Sequence, residues 1–261
     1  QSPARVRRSH LSQLSSSSCE LDAMCYSDWG NISRSVAQIS FIKAGAVWRC
    51  MGTLLNNQRN DGIPYFLTAN HCIDSQSVAN TLVFAWFGSS TGCGSGIPNP
   101  NSQVTYGGAV LLYSSKETDT AFLRLNKAPP PGATFSGWVV SAPFLGQSSV
   151  SVHNPASGLR SIAFGQPVDY LSCNQPSGAP ASQFSCMRSN NEASNHLEVA
   201  FSQGLVEAGS SGSGLFASNG KYLYAQLHGG NLSCANPAGA AYYGRFDQAY
   251  KNGKLSRWLA K

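Results

Sequence analysis

Three consecutive prolines followed by a glycine, Pro129-Pro130-Pro131-Gly132, interrupt the chain near its middle. A proline run gives no N–H groups to a sheet ladder and stiffens whatever it connects, so it cannot lie inside a central strand. The chain is therefore expected to divide here, into units at residues 19–128 and 133–261. Short β-branched and aromatic runs occupy both sides. Before the prolines they fall at residues 36–41, 46–55, 64–69, 81–87, 104–113 and 120–125, with turn material at Asn56-Asn57 and Asn60-Asp61-Gly62. After the prolines they fall at 148–153, 161–168, 196–201, 214–217, 222–228 and 241–246. Runs this short and this closely spaced predict all-β barrels rather than βαβ units. Only the last segment, 247–261, reads differently. Tyr250, Leu255 and Trp258-Leu259 recur at near-helical spacing with Asp247 leading and bases trailing, which predicts a short C-terminal helix.

Composition removes several function classes. No run of about eighteen apolar residues is present, so no membrane-spanning helix is expected. The net charge of +6 is concentrated at the ends: Arg5, Arg7 and Arg8 stand without an acid in residues 1–8, and four bases oppose Asp247 in residues 247–261. The remaining 238 residues balance 11 bases against 11 acids, which leaves no basic stripe on the fold for a nucleic acid to track. Residues 1–18 are Ser- and Arg-rich and are expected to be a mobile tail. Gln1 opens this polar segment, the form expected of an exported chain after processing. Eight cysteines, none in a Cys-x-x-Cys pair, favour disulfides over zinc and an oxidising, extracellular address, with 105 pairings open.

Chemistry enters at three places. Gly209-Ser210-Ser211-Gly212-Ser213-Gly214 holds a hydroxyl between glycines, which permits a tight exposed turn where backbone amides approach a carbonyl. Taken alone, such a run is more often a flexible turn. His71 follows Thr68-Ala69-Asn70 and precedes Cys72, a histidine at a strand end beside a cysteine that can pin its loop. Asp119 opens the apolar run 120–125, a position more often filled by a turn or strand-end charge; Asp74 is nearer His71 in sequence but lacks that strand context and ranks second. Together, in the chain order His71, Asp119, Ser211, they form a nucleophile, a general base and a residue that orients the base. His10, His153 and His196 have no carboxylate or cysteine cluster at ligand spacing, so no catalytic metal and no cofactor are expected.

These contexts resemble the chymotrypsin-like serine proteases. Met51-Gly52-Thr53-Leu54-Leu55-Asn56-Asn57, residues 66–72, Gly209-Ser210-Ser211-Gly212-Ser213 and Gln226-Leu227-His228-Gly229-Gly230 further resemble the bacterial lysyl endopeptidase family, from about Cys19 onward. The resemblance implies two antiparallel six-stranded β-barrels with the active site between them. It also implies disulfides Cys19–Cys234, Cys25–Cys93 and Cys50–Cys72, which leave Cys173 and Cys186 for each other. By the same resemblance, Gly209 and Ser211 supply the oxyanion hole, and Glu207, His228, Gly229, Gly230 and Ala241 line the substrate site. The expected protein is a secreted, monomeric serine endopeptidase acting on proteins or peptides.

One position departs from the family. Where its lysine-specific members carry an aspartate ahead of Tyr-Gly-Arg, this chain has Ala241, and no Asp or Glu occurs between Gly212 and Phe246. An unpaired ammonium in an apolar pocket is costly, so the expectation is a preference for apolar or uncharged residues. Two alternatives are a Lys/Arg-specific enzyme that uses Glu207 and a catalytically silent binding module.

Overall fold

Both sets of short runs are strands in the computed structural model, which describes residues 19–155, 158–176, 178–179 and 183–261. The expected tail and His10 lie outside the described residues. Before the prolines come β1 (Leu21–Asp22), β2 (Val36–Lys43), β3 (Ala46–Leu55), β4 (Tyr65–Ala69), β5 (Val83–Trp86), β6 (Gln103–Tyr106), β7 (Ala109–Ser115) and β8 (Thr120–Leu125). After them come β9 (Ser149–His153), β10 (Ser161–Asn174), β11 (Ser185–Arg188), β12 (His196–Gln203), β13 (Gly214–Ala217), β14 (Leu223–Gly230) and β15 (Ala241–Arg245).

In the second half β9, β10, β12, β15, β14 and β13 pair antiparallel in a ring, with β13 returning to β9. This is a closed six-stranded barrel. Strands β1 and β11 pair with β10 outside the ring, so the first strand of the chain joins the second half's sheet. The first half is a seven-stranded antiparallel sheet in the order β6-β5-β2-β3-β4-β8-β7.

Its outer strands, β6 and β7, are consecutive in sequence and do not pair with each other. Only Gly107 and Gly108 join them, both in the left-handed region at φ +126° and +68°. Two linking residues span about 11 Å at most, so the sheet has to curl until its edges approach. The continuous strand expected at 104–113 is broken for the same reason: a Cβ on Gly108 would lie 2.6 Å from the Asn80 carbonyl oxygen, and only glycine admits that bend.

Apolar side chains gather in three clusters. One fills the first half around Ile39, Phe66, Phe84 and Trp86; another fills the second-half barrel around Leu197, Leu215, Tyr224 and Tyr243. The third lies between them and draws on both, with Val36, Met51, Leu55 and Phe122 meeting Val150, Ile162 and Phe216. The C-terminal segment seals this shared core with Phe246, Leu255 and Leu259. It forms two short helices, Phe246–Asn252 and Ser256–Leu259, rather than one. They part at Gly253 and at Lys254, which turns left-handed at φ +49°. Each fully buried large apolar side chain contributes roughly 1.5–3 kcal/mol, so the shared core holds the two halves in one register.

Candidate active site

Strands β4 and β8 pair up to Ala69 and Thr120, which brings the residues just beyond those ends, His71 and Asp119, face to face. Asp119 sits at φ +49°, a conformation Asp tolerates better than most residues, and is 2% exposed. Its two oxygens grip one residue: the His71 backbone N–H donates to Oδ1 at 2.7 Å and His71 Nδ1 lies 2.8 Å from Oδ2. A carboxylate only accepts, so Nδ1 carries the proton and Nε2 is left with the lone pair. Burial pushes the Asp119 carboxyl up, but the charges of His71 and His228 and the two His71 hydrogen bonds outweigh it and hold the group below its ordinary value. Asp74, the second-ranked candidate, pairs instead with Lys43 at 2.6 Å.

The second half clamps Asp119 from behind. Gln226 of β14 is fully buried, and its Nε2 donates to Thr118 O at 2.8 Å, Thr120 Oγ1 at 3.0 Å and Asp119 O at 3.2 Å. Gly244 of β15 backs the same carbonyl so closely that a Cβ there would stand 1.9 Å from Thr118 O.

Ser211 lies on a turn between Gly209 and Gly212, at φ +92° and +82°. A Cβ on Gly212 would meet Met51 O and Thr68 Oγ1 at 2.4 Å, so glycine lets the turn press against the first half. The Met51 N–H donates to Ser211 O at 2.6 Å across that contact. Within the turn, Ser210 N–H donates to Glu207 O, Gly212 N–H to Leu227 O and Ser213 N–H to Ser210 O, at 2.8–3.0 Å. Among the described residues the N–H groups of Gly209 and Ser211 meet no protein acceptor.

His71, Ser211, Glu207, His228, Gly229, Gly230 and Ala241 line one cavity of about 470 Å³. Asp119 stands behind His71, outside the lining. Glu207 Oε1 accepts the Cys234 N–H at 2.7 Å, which ties the carboxylate to the cavity rim. Cys234 is bonded to Cys19, Cys25 to Cys93, Cys50 to Cys72 beside His71, and Cys173 to Cys186. Ligating atoms of His71, Asp119 and His228 lie within 4.8 Å of one another. Two other such groups among the described residues contain disulfide sulfurs, which are not thiolates.

Residues 14–244 match the family profile of the lysyl endopeptidase C-terminal domain. The chain belongs to the lysyl endopeptidase family. A lysyl endopeptidase of Pseudomonas aeruginosa is 30% identical over 259 residues, covering 94% of this chain and 52% of that protein, so the chain spans about half the relative's length. Among solved structures, an HtrA-type protease, AlgW with a tripeptide, superimposes with a TM-score of 0.57 at 14% identity over 89% of this chain and 63% of that one. The active form of the Rv3671c protease from M. tuberculosis gives 0.54 at 16% identity over 95% and 91%. At such identities these two likenesses speak for the fold alone.

In this member of the lysyl endopeptidase family His228, expected at the substrate site, is held by residues that no sequence signal assigned to it: Asn195, His196 and Phe184. Asn195 Nδ2 donates to Cys173 O at 2.9 Å and its Oδ1 accepts Cys173 N–H at 2.8 Å, which fixes the amide. His196 Nδ1 stands 2.8 Å from that Oδ1 and must therefore donate to it. Burial, reinforced by the neighbouring His228 charge, pushes His196 down to about 3, so the ring is neutral and its Nε2 accepts. His228 Nδ1–H then donates to His196 Nε2 at 3.0 Å, and His228 Nε2 is turned toward Asp119 Oδ2 at 3.8 Å. His228 is stacked between His71, at 5.4 Å between ring centres, and Phe184, at 3.8 Å. The other inward histidine, His153, is paired with buried Glu20 at 3.1 Å, well away from this chain of groups in sequence.

Proposed function

We propose that the chain is a secreted serine endopeptidase that cuts protein or peptide substrates through an acyl-enzyme. The observation that carries this reading is the two-point grip of Asp119 on His71, which makes Nδ1 the donor and Nε2 the base on a residue that lines the same cavity as Ser211. In the reaction Ser211 Oγ attacks the carbonyl carbon while His71 Nε2 takes its proton, and the same proton passes to the departing amine. Asp119 stabilises the imidazolium in between. The N–H groups of Gly209 and Ser211 receive the oxyanion, each donor contributing roughly 2.7–4 kcal/mol in sites of this kind. Water then enters from the side the amine has left, with His71 again as base. Four disulfides support an oxidising address, and no helix among the described residues is long and apolar enough to cross a membrane.

The acyl-side pocket takes uncharged or apolar side chains. Its walls include Val206, Leu227, Leu232 and Ala241, and the one carboxylate on it among the described residues, Glu207, already accepts a backbone N–H. A second reading has an observation of its own: Glu207 does line the cavity, where a long basic side chain could reach it. A fluorophosphonate should label the native chain and leave Ser211→Ala unlabelled; a native chain that takes no label is a binding module. Peptides varied only at the residue before the cut then decide specificity, and cleavage confined to Lys or Arg would overturn the apolar preference.

A further inference from the structure

The hairpin of β2 and β3 carries three large apolar side chains that none of the three clusters absorbs: Ile42 is 53% exposed, Val47 72% and Trp48 55%. They do not form one patch. The pairing register sets Ile42 opposite Val47, Phe41 opposite Trp48 and Ile39 opposite Cys50. Because side chains alternate along a strand, Ile42 and Val47 share one face, and Trp48 shares the other with Phe41, Lys43 and Cys50.

That second face leads to the candidate site. Cys50 is bonded to Cys72, the neighbour of His71, and Lys43 Nζ donates to the His71 carbonyl oxygen at 2.8 Å. Trp48 is also held in place, its Nε1–H donating to Lys43 O at 3.1 Å. Three residues further along β3, Met51 N–H holds Ser211 O. Three strand residues span about 10 Å, the reach of about three extended substrate residues. The cavity of about 470 Å³ lies on the other side of the nucleophile, since among the described residues His71 is its only lining residue from the first half. A peptide whose acyl-side residue fills that cavity must leave Ser211 across the first half's rim, where this hairpin stands.

We infer that Trp48 is a specificity-determining residue for the leaving side of the substrate, packing against an apolar or aromatic side chain two or three residues after the cut. The inference rests on the endopeptidase reading above. A fixed indole offers a large flat surface with little ordering cost, and one such contact is worth on the order of 10-fold in selectivity. Ile42 and Val47, on the opposite face, have no part in it.

The test uses internally quenched peptides with one acyl side and Phe, Leu, Ala or Asp at the second and third positions after the cut, together with the anilide of the same acyl side. The native chain should turn over the anilide and prefer Phe or Leu to Asp by about 10-fold in kcat/KM. In Trp48→Ala that preference should fall to about 1, and Trp48→Tyr should keep part of it. Failure of the native chain to cleave either kind of substrate would reject the endopeptidase reading itself. Cleavage of the anilide without a downstream preference would overturn the role of Trp48. So would a preference that survives in Trp48→Ala, or a Trp48→Ala loss that falls equally on the anilide and the peptides.

Discussion

Replacing Gly244 by alanine adds one methyl group at a distance from every proposed reacting atom, and should nevertheless disable the proposed peptidase activity. The new Cβ would stand 1.9 Å from Thr118 O and 2.4 Å from Gln226 Nε2. Non-bonded contacts rest near 3.5–4.0 Å, so the Thr118 carbonyl has to retreat by about 1.5 Å. The next residue is Asp119, whose left-handed backbone and two short bonds to His71 leave little slack. A misplacement of about 1 Å in a positioning group costs on the order of 10²-fold, or about 2.7 kcal/mol of transition-state stabilisation. Overpacking costs a further 1–3 kcal/mol of stability, roughly a 2–6 °C fall in Tm for a chain of this size. Steady-state kinetics on one quenched peptide should show kcat down about 100-fold with KM nearly unchanged. Gly88→Ala, whose Cβ meets nothing nearer than Asn154 Nδ2 at 3.5 Å, serves as the control. A Gly244→Ala protein that loses Tm but keeps kcat within about 3-fold would show that the second half does not set the position of Asp119, and the clamp argument would fail.

Asp119→Asn should lower kcat by roughly 10⁴ at neutral pH, because an amide can present its N–H to Nδ1 and stabilise the wrong tautomer; stopped assays with active-site titration measure it. His196 has a folded value of about 3 against 6.5 when unfolded, so below pH 6.5 the unfolded chain binds a proton that the folded one refuses. Its effect is absent above pH 6.5 and removes stability as pH falls toward 3; urea midpoints across that window should fall less steeply in His196→Gln than in the native chain. Ala241→Asp should raise the Lys-to-Leu ratio of kcat/KM by roughly 10- to 100-fold, the worth of one charge-assisted hydrogen bond; an unchanged ratio would mean that position 241 does not contact the acyl-side residue.

The strands and the order of the chemistry-bearing residues were legible because they are local. Period-two runs bounded by turns marked most strands, and Asp119 and His71 each stood at the end of such a run, where pairing of β4 with β8 could bring them together. The split of residues 104–113 was less legible, since Gly107-Gly108 in an apolar run reads as a soft spot until the sheet edges are known. The Asn195–His196–His228 series was hidden for a different reason. His196 and His228 lie on β12 and β14, both neighbours of β15, and only the closed barrel order brings His196 Nε2 and His228 Nδ1 to 3.0 Å. Glu20 and His153, 133 positions apart, were equally beyond local pattern. Phe184 belongs to no strand, and no periodicity announces a ring that stacks on another.

Cys19–Cys234 spans 215 positions and is the one disulfide among the four that joins residues from opposite sides of the proline run. The chain is therefore a covalent ring, closed once through the peptide segment at 127–132 and once through sulfur. A nick in that segment, the kind of cut a protease inflicts on its own copies, would open the ring without releasing a fragment. The nicked molecule would migrate as one species until reduced, then as two. Tethered at a single point and seated on a shared core, its halves would stay at high effective concentration.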